Sequence, residues 1–226
     1  MKPKICVSIL PKTSTEATKL IEKAEEATAD LIEVRLDKLD KHDGLADLAS
    51  YGKTTKIATI KPLSSHGHFK GTESEQRQIV LTAAKNGFSY VDIELSAKNL
   101  KEFTAQVSNL GARPIVSFHS YKRMLKLTEL TDVLERQIAF GADICKIVPT
   151  AERIEDSLTL LNFCSEAAKR AKVVCFAMGE LGKVSRLLSP LFGCVFTFAA
   201  LETGSKTASG QMTIQDMKSA YRLLVV

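Results

Sequence analysis

Lys4-Ile5-Cys6-Val7-Ser8-Ile9-Leu10 runs directly into Pro11-Lys12-Thr13. The junction decides between two folds. A short β-branched apolar run of this kind reads as a buried strand. In a nucleotide-binding doubly wound sheet, the first such strand leads into G-x-G-x-x-G. None follows here, and no G-x-x-x-x-G-K-[ST] occurs elsewhere in the chain.

Seven more strand candidates follow, at Leu31–Leu36, Lys56–Ile60, Tyr90–Leu95, Pro114–His119, Asp143–Pro149, Val173–Met178 and Cys194–Ala200. Helical patterns separate them: Glu16–Ala29 with Ser14 or Thr15 as N-cap, a short one at Leu45–Tyr51, then a helix opened by the capping box Thr72-Glu73-Ser74-Glu75 and stopped at Gly87. Later helices are expected at Ala97–Leu110, Leu130–Phe140, Ile154–Ala171, Leu181–Leu191 and Thr213–Leu223. Eight units in 226 residues leave about 28 apiece, close to the minimum for a strand, a crossover helix and two loops. Strands this apolar suit a parallel sheet covered by helices. The count of eight and the missing fingerprint favour an α/β fold, a single (β/α)8 TIM barrel spanning 1–226.

Composition excludes several classes. With 45% apolar residues and a net charge of +5, disorder is ruled out. No stretch of about 20 residues lacks charge, so no membrane span is expected. The N-terminal apolar run is too short for a signal-peptide core, which predicts a cytoplasmic protein. Cys6, Cys145, Cys164, Cys175 and Cys194 are odd in number and form no C-x-x-C, so they read as buried reduced thiols. The pI near 8.9 comes from scattered Lys and Arg among 26 acids, without a basic block, so no nucleic-acid partner is expected.

Barrel enzymes draw their catalytic groups from the C-terminal ends of strands. Polar residues collect there. Glu33, Arg35 and Asp37 are spaced by two on one face of an otherwise apolar strand, a costly row unless the groups pair or line a polar cavity. His119 ends the fifth strand. Lys146 interrupts the sixth, on the same face as Ile144 and Val148, and a lysine is rarely buried without a reason. In a dry barrel mouth an ammonium is disfavoured and the neutral amine becomes available as a nucleophile. Arg186 lies early in a helix over the mouth, and Thr203–Gln211 is a loop of small and hydroxyl residues able to mould around a ligand. His66 and His68 flank Gly67 but find no third partner with metal-ligand spacing, so no metal is assigned.

Taken in order, Val7-Ser8-Ile9, Glu33-Val34-Arg35-Leu36-Asp37, Val91-Asp92-Ile93-Glu94-Leu95, Ser117-Phe118-His119, Gly141-Ala142-Asp143-Ile144-Cys145-Lys146-Ile147, Ser185-Arg186-Leu187 and Ala208-Ser209-Gly210-Gln211 resemble the type I 3-dehydroquinate dehydratases of the shikimate pathway, over essentially the whole chain. The resemblance implies a barrel that is usually a homodimer and uses neither metal nor organic cofactor. It implies that Lys146 forms an imine with the ring ketone of 3-dehydroquinate. His119 acts as general acid–base, and loss of water gives 3-dehydroshikimate. Arg186 would grip the substrate carboxylate, helped by Thr207 and Gln211, while Glu33 and Arg35 hold ring hydroxyls and Ser8 contacts substrate.

Three positions depart from the family pattern. Lys61 stands where an Arg is usual, keeping the charge and losing the fork. Ser65 stands where a glutamate normally pairs with the catalytic histidine, which leaves the orientation of His119 to Glu94 or to water. Thr207 replaces a Ser and keeps the hydroxyl. A class I aldolase-like barrel would also carry a late-strand lysine, and a non-catalytic binding barrel would tolerate the departures; both remain as competitors.

Overall fold

The alternation of apolar runs and amphipathic segments becomes, in the computed structural model, a ring of strands within a ring of helices; residues 2–224 are described. The expected 1–226 extent passes beyond them at both ends. Among the described residues the order is β1 (Ile5–Ile9), α1 (Ser14–Glu26), β2 (Leu31–Arg35), α2 (Leu45–Ser50), β3 (Thr55–Thr59), α3 (Glu73–Lys85), β4 (Tyr90–Glu94), α4 (Leu100–Asn109), β5 (Arg113–Ser120), α5 (Leu127–Ala139), β6 (Ile144–Pro149), α6 (Asp156–Ala167), β7 (Val173–Cys175), α7 (Lys183–Leu188), β8 (Thr197–Ala200) and α8 (Ile214–Leu223). Each strand from β1 to β6 pairs in parallel with the next, and β8 pairs with β1. The ring is nearly closed: at the seam between β7 and β8, the Val195 N–H donates to the Val173 carbonyl at 2.9 Å.

Strand alternation sorts the apolar residues into two cores. Ile32, Val34, Ala58, Val116, Cys145 and Ile147 face the helices. Leu31, Ile57, Ile115, Ile144 and Val174 face inward and fill the barrel floor. A fully buried side chain such as Ile32 contributes about 1.5–3 kcal/mol. Two residues further along the same inward faces come Glu33, Thr59, Ser117 and Lys146. The floor is therefore apolar and the layer above it polar.

Several boundaries differ from the sequence reading. Thr13, not Ser14 or Thr15, caps α1, its Oγ1 accepting from the Glu16 N–H at 3.1 Å. That helix stops at Glu26 rather than Ala29 because Thr28 turns left-handed, with φ 55°. The Thr72–Glu75 capping box is present as expected. β7 ends three residues early: the Ala177 N–H turns to the Ser185 Oγ at 3.0 Å. The expected helix Leu181–Leu191 shrinks to Lys183–Leu188 between two 3-10 turns. Pro190 has no N–H for the Arg186 carbonyl, which instead accepts from Thr197 Oγ1 at 2.7 Å.

All five cysteines are free and buried. Though distant in sequence, Cys164 and Cys194 meet, with Sγ atoms 3.4 Å apart. No described helix is long and apolar enough to cross a membrane.

Candidate active site

The polar layer surrounds a cavity of about 530 Å³ at the C-terminal end of the barrel, lined by Glu33, Arg35, Lys61, His119, Lys146, Arg186, Thr207 and Gln211 among others. Eight of the nine residues singled out in the sequence thus share one cavity. The ninth, Ser8, lies behind it. Its hydroxyl donates to Glu33 Oε2 and stands 3.0 Å from Thr207 Oγ1, so it supports two lining residues.

Four strands bring charges together at the cavity wall. Asp92 on β4 takes the Lys146 ammonium at 3.0 Å on one oxygen, and Lys61 at 2.8 Å and the Ser117 hydroxyl at 2.7 Å on the other. Burial alone would raise the Asp92 carboxyl, but Lys146 and Lys61 outweigh it and hold it far below the usual carboxylate range. Glu33 follows the same logic: burial opposes its charge, while Lys146, 3.6 Å away, and Arg35 favour it, and its pKa falls. Its Oε1 also accepts from Thr59 at 2.9 Å. Arg35 holds Asp37 through two bonds at 2.7 and 2.8 Å, and Asp37 in turn accepts the His68 N–H at 3.0 Å. The row read from β2 is thus both an ion pair and part of the cavity wall.

Lys146 is only 6% exposed and lies 4.4 Å from the centre of the Phe198 ring, but two carboxylates face its nitrogen. Two acids thus surround the buried nitrogen. Lys61 is still more committed, with bonds to Asp92, Glu94 and Ser117; burial opposes its charge, yet the two carboxylates prevail and hold it well above the ordinary lysine range. Replacing Asp92 by Asn is expected to destabilise the fold by about 3–5 kcal/mol, because both ammonium groups lose their shared counter-charge. Urea unfolding at neutral pH measures this, and a loss below about 1 kcal/mol would contradict the pairing.

His119 sits at the open end of β5. Burial, followed by the nearby Lys61 charge, pushes its pKa below the ordinary histidine value, which favours the neutral imidazole. Its ring stacks on Tyr121, with centroids 5.6 Å apart and planes 9° apart. The Tyr121 phenol, pushed up to about 12 by burial, donates to the Ser65 carbonyl at 2.9 Å. The His66 ring centre lies 4.3 Å from that of Tyr121, whereas the His68 ring faces Asp37 at 3.3 Å. The two histidines considered for a metal therefore engage different partners.

Opposite this cluster, Arg186 is 1% exposed, with its guanidinium 4.2 Å from the centre of the Phe176 ring. It bonds the Ser209 carbonyl at 3.3 Å and leaves Nε without a partner. No acid pairs with it among the described residues, and burial lowers its pKa to about 9. A buried guanidinium in that state is a receptor for an anion. Gln211 Oε1 accepts from the Thr207 N–H at 2.8 Å and so folds the last loop over the cavity. Gly210 makes this possible: its φ is +72°, and a Cβ there would lie 2.2 Å from the Gly179 carbonyl oxygen.

Asp92, Ser117 and Tyr121 were not among the site residues read from sequence, and Glu94 entered only as one candidate for orienting His119. A signal was present. Asp92 and Glu94 are spaced by two on a short apolar strand, as Glu33 and Arg35 are on β2.

Residues 5–226 match the family described as type I 3-dehydroquinase. A 3-dehydroquinate dehydratase of Dehalococcoides mccartyi is 36% identical over 222 residues, covering 97% of this chain and 95% of its own. The crystal structure of the 3-dehydroquinate dehydratase from Geobacillus kaustophilus is similar with a TM-score of 0.91 at 24% identity, over 100% of this chain and 92% of that one. A type I 3-dehydroquinate dehydratase from Clostridium difficile, solved with covalently modified comenic acid, gives 0.89 at 25% identity over 99% and 92%.

Proposed function

Since the chain belongs to the type I 3-dehydroquinase family, a group of shikimate-pathway dehydratases, we propose that it removes water from 3-dehydroquinate through an imine on Lys146. The observation that carries this reading is the presence, in one cavity, of a buried lysine, a histidine whose surroundings favour the neutral imidazole, and an arginine that meets no acid among the described residues.

Lys146 first passes its proton to a neighbouring base and attacks the ring ketone; water leaves and an iminium forms. The iminium draws electrons from the adjacent C–H bond, and His119 takes that proton. The resulting enamine pushes out the hydroxyl one carbon further on, which leaves as water with the proton that His119 returns. A second water hydrolyses the imine, frees the amine and releases 3-dehydroshikimate, so one water is lost overall. Arg186 holds the carboxylate at the far end, with Thr207 and Gln211 shaping that wall, while Glu33 and Arg35 meet ring hydroxyls. Ser8 acts through Glu33 and Thr207. Lys61 lends its charge to the wall through Asp92 and Glu94. The same reading takes the enzyme to be a cytoplasmic homodimer acting on a small molecule without metal or organic cofactor.

Borohydride added with 3-dehydroquinate should inactivate the protein and add the reduced ligand's mass to the peptide carrying Lys146. Without borohydride, ultraviolet absorbance of a conjugated product should grow. Label on Lys61, carbon–carbon cleavage products as from an aldolase, or thermal stabilisation without turnover as from a binding protein would each overturn the proposal.

A further inference from the structure

We propose that Glu94 is the positioning residue that orients the His119 ring and fixes which of its nitrogens carries the proton. This rests on His119 being the general acid–base of the proposed reaction.

The strand register supplies the first reason. Glu94 pairs with Ser117 across β4 and β5, so it lies on the same inward face as His119, one step below it. His119 Nδ1 is buried and has no aligned hydrogen-bond partner, and Glu94 Oε1 stands 3.3 Å from it. A small rotation of the carboxylate completes that bond. Glu94 also lines a second cavity of about 370 Å³, together with Ser65, Gln76 and Asp92.

The surroundings supply the second. The ionisable groups around the ring are Asp92 and Glu94 from β4, Lys61 following β3, Lys146 from β6, Tyr121 following β5 and His66 from the β3–α3 loop. Asp92 is taken up by the two lysines. At Ser65 that loop offers a backbone carbonyl, which already accepts from Tyr121. Glu94 is the acid left to the imidazole. Lys61 bonds the same Glu94 oxygen, and although burial opposes the charge of Glu94, Lys61 and His119 keep it ionised, with its pKa lowered.

An Nδ1–H donated to this carboxylate leaves Nε2 unprotonated for the substrate. When Nε2 takes the proton from carbon, the imidazolium forms beside a fixed negative charge, and Glu94 itself gains no proton. Lys61 thereby acts on the reaction through Glu94.

The test is Glu94→Ala, with Glu94→Asp as the conservative variant. Alanine should lower kcat by about 10²-fold while KM changes less than about threefold and borohydride still traps ligand on Lys146. Without the carboxylate the imidazole is less basic, so the acidic limb of the kcat profile moves to lower pH. Aspartate should restore part of the rate and of the shift. The isosteric Glu94→Gln variant, followed by imidazole nitrogen NMR, should show a changed tautomer balance with the melting temperature little altered. An unchanged kcat and acidic limb in Glu94→Ala would sink the assignment, as would loss of trapping in step with kcat. Failure of trapping in the unaltered enzyme would instead strike the imine reading itself.

Discussion

Lys146→Met is expected to lower kcat/KM by roughly 10⁵-fold or more, the scale on which removal of a covalent nucleophile is felt. The borohydride label should vanish with it. Methionine keeps the length of the stem over Phe198 and removes the charge, which makes a second effect measurable. Asp92 retains Lys61, but Glu33 loses the cation 3.6 Å away and keeps only Arg35 and the Ser8 and Thr59 hydroxyls. Breaking such a buried pair costs about 3–5 kcal/mol. The pH dependence carries a sign. In the parent protein the folded Glu33 pKa is depressed, so its contribution is present above the ordinary carboxylate range and fades as the pH falls through the depressed value. In the variant burial dominates and raises the folded pKa, so stability declines as the pH climbs above that range. The stability gap between the two proteins should therefore narrow from pH 7 to pH 5, and denaturant melts at both values measure it. A gap independent of pH would contradict the coupling of Glu33 to Lys146.

Arg186→Met should raise KM by about 10²- to 10³-fold, the loss expected when a buried charge-assisted contact to a carboxylate is removed, and kcat should fall less. The same change should raise the melting temperature of the free protein. Arg186 is buried without an acid among the described residues, and its pKa falls well below the ordinary arginine range, to about 9. A base depressed on folding opposes folding at every pH below that value, where it is charged in both states, and the penalty is relieved only as the pH rises from about 9 into the ordinary arginine range. Removing it should therefore stabilise the unliganded chain by about 1–4 kcal/mol. A carboxylate-bearing substrate analogue should stabilise the parent and leave the variant unmoved. Equal KM values, or a lower melting temperature, would count against Arg186 as the carboxylate anchor. Such an opposition between stability and affinity is what a preformed anion site entails.

The two residues also show where the sequence was readable. Lys146 and the Glu33–Arg35 pair announced themselves because charges at alternate positions on apolar strands need a partner or a cavity. The barrel followed from the repeated strand–helix period. The pairing of those charges was not readable. It depends on strand register, which sets Glu94 beside Ser117 and brings Asp92 within reach of lysines 31 and 54 residues away. Ser8 was read, through the family resemblance, as a substrate contact and not as a support, since that role depends on where Thr207 folds back. The early end of β7 was hidden for a similar reason: Ser185, further along the chain, takes the backbone donor of Ala177.

Ser8 and Thr207 meet at 3.0 Å although 199 residues separate them. Ser8 on β1 must therefore wait for the Thr207 loop before its hydroxyl has both of its partners. A nascent chain arrested before Thr207 emerges can hold most of the helices and strands and still lack a finished cavity wall, so that wall should be completed late in synthesis.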